Sequence, residues 1–562
     1  MKDWLKKTHG TLFELLRHFL STFFDNDLIT VPGQMTPALI GAFSLFLPWF
    51  QILIAPLHDK YTYLSSLSDP KPYREAVRAD ELWLITLMMS AIGLLTAVKW
   101  QSVFPDARDY RSLASLPLRR YQIFLAKLSA LLLIATAVIP TLNVVPGLLF
   151  PILSDGHWSI TSSLGQRVVA HWMACISGSY FFVFGLVGLQ GMLLLLLPER
   201  LFSAVKGYLQ GILVSAMLAL IVGSFSIQPT LTGIVLDTHW ARWLPPVWFL
   251  GLYQSKLGDS DPQMLAVSHW ALAGLLGSMF LTLITYFLVY RRSAVLEDVA
   301  QAKPRIGRQS GLLELLSSKP CQAGVCLFIG KTLAASSHHR MILMGYLGLG
   351  GAILVTGVVG IRSMVQPGRL IAADFIYAHL LMVIFMLIGF RHLFSIPVEL
   401  QANWIFRITE PEGRKEWLGA VDRFVLGLGA TGLFLAPFPV ELKLLGWRAL
   451  GESTLLAVFG LVCFQCVFYS WEKLPFTCSH LPGKFPVWLR ALQLFGLIML
   501  LAPARSFLLV CLYNPVLFSA VLIVLLVAAT LMNRNRMRAH GEIRLKYEES
   551  LEPAVLSLSL LK

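Results

Sequence analysis

The sequence predicts an all-α polytopic membrane protein, with about twelve transmembrane helices arranged as two parallel six-helix repeats and short cytoplasmic amphipathic helices between spans. Three observations predict it. The 562 residues are 56% hydrophobic and only 14% charged, with mean hydropathy +0.67, against about 25% charged residues in soluble domains. Several apolar runs reach the ~20 residues a helix needs to cross a bilayer. Lys and Arg are spread unevenly between alternate connecting segments. A soluble enzyme built around one large core is excluded.

Spans are expected at roughly 37–57, 81–98, 128–151, 168–197, 207–226 and 268–290, then at 341–361, 373–393, 424–445, 452–471, 487–503 and 506–531. With the N-terminus in the cytoplasm, the segments on that face are 1–36, 99–127, 198–206, 291–340, 391–424, 472–490 and 532–562. They hold 34 of the 46 Lys and Arg, and 12 fall on the other face. By the positive-inside rule both termini are cytoplasmic, in a multi-pass protein of the cell inner (plasma) membrane. The same bias explains the net charge of +14 without nucleic acid, so the expected surroundings are membrane lipids.

The elements follow in order. Residues 1–36 are basic and amphipathic, with Leu12, Leu16, Phe19, Leu20 and Phe23 on one stripe. They do not form a cleavable signal; they read as an interfacial helix or as one packed on the protein's own cytoplasmic side. In 58–81, Asp59, Asp69, Asp80 and Glu81 alternate with Lys60, Lys71, Arg74 and Arg78, which reads as a solvated outer loop. Residues 99–127, KWQSVFPDARDYRSLASLPLRRYQIFLAK, form a charged island divided by Pro105 and Pro117. Pro105 suits a first helical position, and Asp106 and Asp109 suit the positive end of a helix dipole. Tyr110, Leu113 and Ala114 share one face at helical spacing. A short amphipathic helix lying flat at the membrane surface fits this pattern; a loop that only sets topology fits it too.

The loop 227–267 is rich in aromatics and prolines, with Trp240, Trp243, Trp248, Pro245 and Pro246, as expected of a re-entrant feature before the sixth span. Segment 291–310 carries Pro304 and Gly307 and reads as a cytoplasmic linker. The domains are then a first half at 1–290, the linker at 291–310, a second half at 311–532 and a cytoplasmic tail at 533–562. The second half echoes the first: 311–340 is another lead-in before a span. After the second span of that half comes IPVELQANWIFRITEPEGRKEWLGAVDR, with Leu400, Trp404, Ile405 and Ile408 opposed by Glu399, Asn403 and Arg407. Pro411, Arg414 and Lys415 stand where Pro117, Arg119 and Arg120 stand in the first half. Six spans per half make this a parallel repeat.

No catalytic, cofactor-binding or metal-ligating set is expected. Gly324 to Thr332 resembles a phosphate loop, but five residues part its glycines where four are needed, and they are bulky. Gly427, Gly429 and Gly432 spell a dinucleotide fingerprint inside an apolar span, which reads as close helix packing, as do Gly185, Gly188 and Gly191. Cys463 and Cys466 form a CxxC within a span and read as buried thiols; the seven cysteines show no disulfide framework. The His338–His339 pair has no carboxylate or thiol at ligand spacing. Asp374, Asp422 and Glu472 lie at span ends, Glu441 and Lys443 near the outer end of the ninth. His379 is the one mid-span titratable candidate, read as a hydrogen-bonded packing residue.

In FPDARDY and LPLRRYQIFLAK, the run 100–127 resembles the first cytoplasmic loop of ABC-transporter permeases of the bacterial exporter type (the type-2 permease family). Those permeases have six spans per half, an amphipathic helix before the first, a coupling helix between the second and third, and re-entrant helices between the fifth and sixth. Most relatives carry one half per chain and dimerise, whereas this chain carries two. The resemblance implies a permease subunit that is not itself an enzyme, driven by a separate ABC ATPase in two copies; no Walker motif is present. It implies that Pro105, Asp106, Arg108, Asp109, Tyr110, Leu113, Pro117, Arg119, Arg120 and Gln122 form the ATPase-coupling segment. Glu399, Asn403, Trp404, Arg407 and Arg414 would form the second, which lacks the FPDxRDY pattern. An ion-coupled secondary transporter and a membrane-embedded lipid-modifying enzyme are the alternatives. The substrate is not specified.

Overall fold

In a computed structural model of the chain, every regular element among the described residues is a helix. The structure describes residues 2–24, 57–105, 113, 119–155, 158, 162–224, 241–258, 262–296, 319–359, 369–398, 403, 406, 414–429, 434, 437–469, 471, 473–477, 507, 510–511 and 513–539. The chain divides into two compact units, Met1–Lys303 and Pro304–Lys562. Among the described residues, eight helices are long and apolar enough to cross a membrane. They match the second to sixth, eighth, tenth and twelfth expected spans. The first and eleventh lie outside the described residues.

In the first unit, α1 (Lys2–Phe24) is followed by a helical stretch at 57–65, α2 (Lys71–Val98), α3 (Arg120–Leu153), α4 (Leu164–Leu196), α5 (Glu199–Ser224), the short α6 (Pro245–Lys256) and α7 (Pro262–Leu296). Helix α1 lies against α3: Leu15 and Phe19 are buried with Ile123, Ala126 and Ala130, and Leu113 packs on the same cluster. Of the two readings of the N-terminal stripe, packing on the protein itself is the one observed. Helix α2 sits among α4, α5 and α6. It begins at Lys71, inside the expected outer loop and ten residues before the expected span, so Asp80 and Glu81 are buried. The solvated-loop reading of these two acids is therefore corrected; each has a partner distant in sequence.

Gly188 and Gly191 are contact points of α4 with α7, since a Cβ at either would meet Leu281 or Thr285 at 3.0 and 2.5 Å. Gly185 faces open space instead. Helix α3 contains Pro140, Pro146 and Pro151. A proline cannot donate to the carbonyl four residues earlier, and for Pro151 that carbonyl is Gly147, which accepts from Trp172 Nε1 of α4 at 3.1 Å. The end of α3 is tied down as well: the Ser154 carbonyl accepts from Tyr73 of α2 and from Arg167 of α4.

In the second unit come α8 (Pro320–Ala335), α9 (Ser337–Val359), α10 (Arg369–Phe394), α11 (Arg414–Phe424), α12 (Phe438–Leu445), α13 (Arg448–Phe468) and α14 (Pro515–Ala539). Helix α9 covers the expected seventh span. The expected ninth, 424–445, is not one helix: α11 ends at Phe424, a π-helical turn covers Val425–Gly429, and α12 starts at Phe438. Glycines at 427, 429 and 432 with prolines at 437 and 439 account for the break. Gly324 to Thr332 lies inside α8, as a helix and not a phosphate loop. Past α13 the chain turns at Phe476, whose φ of 67° is unusual for a bulky residue. The ring is buried against Phe328, His339 and Phe394, which holds it there.

Candidate functional site

Among the described residues, each unit buries a histidine in contact with two groups able to ligate a metal. In the first, Glu81 comes from α2 and His171 and Cys175 from successive turns of α4, and all three are 0% exposed. A true capping box, Ser163 with Gln166, fixes the start of α4. His171 Nδ1 lies 3.0 and 2.9 Å from the two Glu81 oxygens, and Nε2 lies 3.5 Å from Cys175 Sγ. A carboxylate only accepts, so Nδ1–H donates to Glu81 and Nε2 accepts from the thiol. The three groups satisfy one another in a line.

The surroundings close this line off. Phe150 of α3 lies 5.8 Å from the imidazole, ring to ring. Helix α6 contributes Phe249, Leu250 and Tyr253 to the same buried cluster. This short helix stands where the sequence suggests a re-entrant feature. Beside it, Asp80 accepts from Lys60 Nζ at 2.7 and 2.8 Å and from Tyr61 Oη at 2.7 Å. Burial, with the Asp80 charge added, pushes the Tyr61 hydroxyl well above its ordinary pKa. Arg167, one turn before His171, is buried and pairs with Asp155 at 2.7 Å.

In the second unit, His379 of α10 meets Glu441 of α12 and Glu452 of α13. Helices α12 and α13 pack against each other across a short turn at Gly446, whose φ of 59° a side chain would strain. That corner brings two carboxylates eleven positions apart onto one imidazole. His379 Nδ1 is 2.6 Å from Glu441 Oε1 and 3.4 Å from Glu452 Oε1. Ser453 Oγ donates to Glu441 Oε2 at 2.7 Å, and Phe434 packs on the imidazole at 5.2 Å. Among the described residues, neither oxygen of Glu452, 1% exposed, receives a hydrogen bond. The sequence singled out His379 and noticed Glu441, but took His379 for a packing residue and passed over Glu452.

A third buried pair joins α14 to the rest of that unit. Arg536 donates to Asp422 and to Gln465 Oε1, and its guanidinium lies 4.8 Å from the Phe464 ring centre. Asp422, expected at a span end, is the anchor of this pair; its burial raises its pKa.

The coupling residues are placed in part. Pro105 is half-buried; Asp106, Arg108, Asp109, Tyr110 and Pro117 lie outside the described residues. Leu113 is half-buried on the α1–α3 cluster. Arg119 is exposed and extended, Arg120 opens α3, and Gln122 Oε1 accepts from the Arg119 N–H at 3.0 Å. In the second segment, Glu399, Trp404 and Arg407 are outside the described residues and Arg414 opens α11. Asn403, expected on a polar face, is instead buried and donates to the Thr477 carbonyl at 2.6 Å. Its amide is spent on an internal turn, so it offers no surface to a partner.

The six described cysteines are free, though Cys466 is exposed where a buried thiol is expected. His339 is buried between Ser336 and the Ile396 carbonyl. No protein-family model, curated protein or solved structure matches the chain.

Proposed function

We propose that this chain is the transmembrane permease subunit of an ATP-driven ABC exporter, with two six-span halves in one chain, both termini cytoplasmic, and ATP hydrolysis supplied by a separate subunit. The observation that carries the reading is how the charged segment 99–127 is rooted. Val103 and Phe104 at its start and Phe124 at its end share one buried cluster with Ile92 of α2, Val183 of α4 and Tyr286 of α7. Phe104 and Tyr286 rings lie 4.7 Å apart, and Tyr286 Oη donates to the Val103 carbonyl at 3.3 Å. A force applied to the segment reaches four helices at once, which is what a coupling element requires. Helix α1, laid along the start of α3, is where the family's amphipathic helix belongs.

The two buried clusters support the repeat. The second and fourth helices of each proposed half are α2 with α4 and α10 with α13. In each pair a histidine meets a glutamate near the N-terminal end of the later helix. The partners are exchanged: Glu81 and His171 in the first half, His379 and Glu452 in the second.

The test is co-purification with a co-expressed ABC ATPase. Reversing both charges, Asp109→Lys with Arg119→Glu, should abolish capture while the protein still reaches the membrane. Unaltered capture would sink the assignment. An ion-coupled secondary transporter gains support from the same clusters, because buried His and Glu in membrane helices are the groups that carry coupling protons. Transport that survives ATP depletion but collapses with the proton gradient would select it.

A further inference from the structure

We infer that His379, Glu441 and Glu452 form a binding site for one divalent transition-metal ion, Zn²⁺ being the best fit, which pins α10, α12 and α13 together. The argument starts from charge. Two carboxylates share one imidazole in an apolar helical setting, so negative groups outnumber the one group able to carry a positive charge. Burying such charge uncompensated is costly, and a divalent cation cancels it in one step.

Geometry agrees. The three ligand atoms lie within 4.8 Å of one another. A tetrahedral ion with bonds near 2.1 Å holds its ligands about 3.4 Å apart, and His379 Nδ1 to Glu452 Oε1 is 3.4 Å. The contact to Glu441, at 2.6 Å, is a hydrogen-bond length. There the ion would replace the shared proton and part the two atoms by less than an ångström.

The independent sign of a ligand is Glu452. It is 1% exposed, lies against the other two groups, and neither of its oxygens receives a hydrogen bond among the described residues. Glutamates rarely stand buried without such partners. Glu441 is oriented from behind by the Ser453 hydroxyl, as metal-binding carboxylates commonly are. The donor set selects the ion. Nitrogen and carboxylate oxygen suit Zn²⁺ and similar ions, while the lack of a thiolate disfavours Cu⁺ and three ligands are too few for Ca²⁺.

The first unit's cluster offers a contrast within the same chain. There Glu81 and Cys175 flank opposite edges of His171 and already satisfy it, so metal binding would have to break two hydrogen bonds.

Full-length protein purified in detergent, stripped with chelator and reloaded with Zn²⁺, tests this by elemental analysis and by melting temperature. About one ion per chain is expected, with a melting temperature that rises with Zn²⁺. Glu452→Gln, which keeps shape and volume, should lose both the ion and the rise. Ser453→Ala should retain the ion and weaken its affinity about tenfold. His171→Gln in the first unit should still bind one ion per chain. Two outcomes overturn the inference: reloaded wild type that holds no stoichiometric metal, or Glu452→Gln and Glu441→Gln variants that bind as the wild type does.

Discussion

Two buried histidines of this protein meet glutamates in opposite ways. His171 stands between one carboxylate and one thiol and uses both ring nitrogens. His379 faces two carboxylates with one nitrogen, Nδ1. The first cluster is closed in hydrogen bonds, because one donor line satisfies every member. The second has an excess of negative charge and a carboxylate that receives no hydrogen bond among the described residues. Similar residue types at comparable helical positions thus give a structural tie in one unit and an open ligand set in the other. What separates them is the third member, a thiol in one and a second glutamate, brought in at the corner of Gly446, in the other.

The largest effect should come from breaking the closed cluster. His171→Leu leaves Glu81 buried without its partner, which costs about 3–5 kcal/mol and should appear as a large fall in melting temperature or in folded yield. If Glu81→Gln with His171→Leu is no more stable than His171→Leu alone, His171 is not what makes the buried Glu81 tolerable. Exchanging the first pair, Glu81→His with His171→Glu, reproduces the order of the second unit. It should recover much of that loss, to within about 2 kcal/mol of wild type. No recovery would mean that the two orders are not equivalent.

In the second cluster a smaller effect of opposite sign is expected. Without metal, Glu452→Gln relieves like-charge crowding and should raise the melting temperature modestly, by about 1 kcal/mol of stability. A fall as large as that for His171→Leu would show that Glu452 is already satisfied.

The smallest effect concerns pH. Burial holds His339 below its ordinary pKa of 6.5. A histidine depressed in the folded state favours folding above the unfolded pKa, and that contribution is lost as pH falls through the folded pKa. Stability should therefore drop on acidification below about 6.5, and His339→Gln should flatten that drop. An unchanged slope between the two proteins would remove His339 from the account.

The all-helical, multi-spanning fold is legible in the sequence because a bilayer imposes a length: apolar runs of ~20 residues stand out whatever their packing. The functional clusters were harder to read. Asp80 and Glu81 look like loop residues because local charge is the only signal a single sequence gives, and their helix starts well before them. The group that makes Glu81 tolerable, His171, is ninety positions away, and no periodicity links the two. His379 was visible because it interrupts an apolar run. Glu452 was not, since it falls at the very start of the expected tenth span, where a charge reads as a boundary. Asn403 misled for the converse reason: an amphipathic pattern places it outward, but the Thr477 carbonyl draws it in.

Helix α3 has a mechanical consequence. Three prolines remove three rungs of its hydrogen-bond ladder between residues 136 and 151, while the first turns after Arg120 keep theirs. Such a rod is stiff where it begins and compliant where it ends. Its far tip is moored at Gly147 and Ser154 by Trp172, Tyr73 and Arg167. A thrust delivered at Arg120 would be spent in flexing the proline stretch before it could dislodge the mooring. The end of the molecule that holds Glu81 and His171 is thereby insulated from work done at the other.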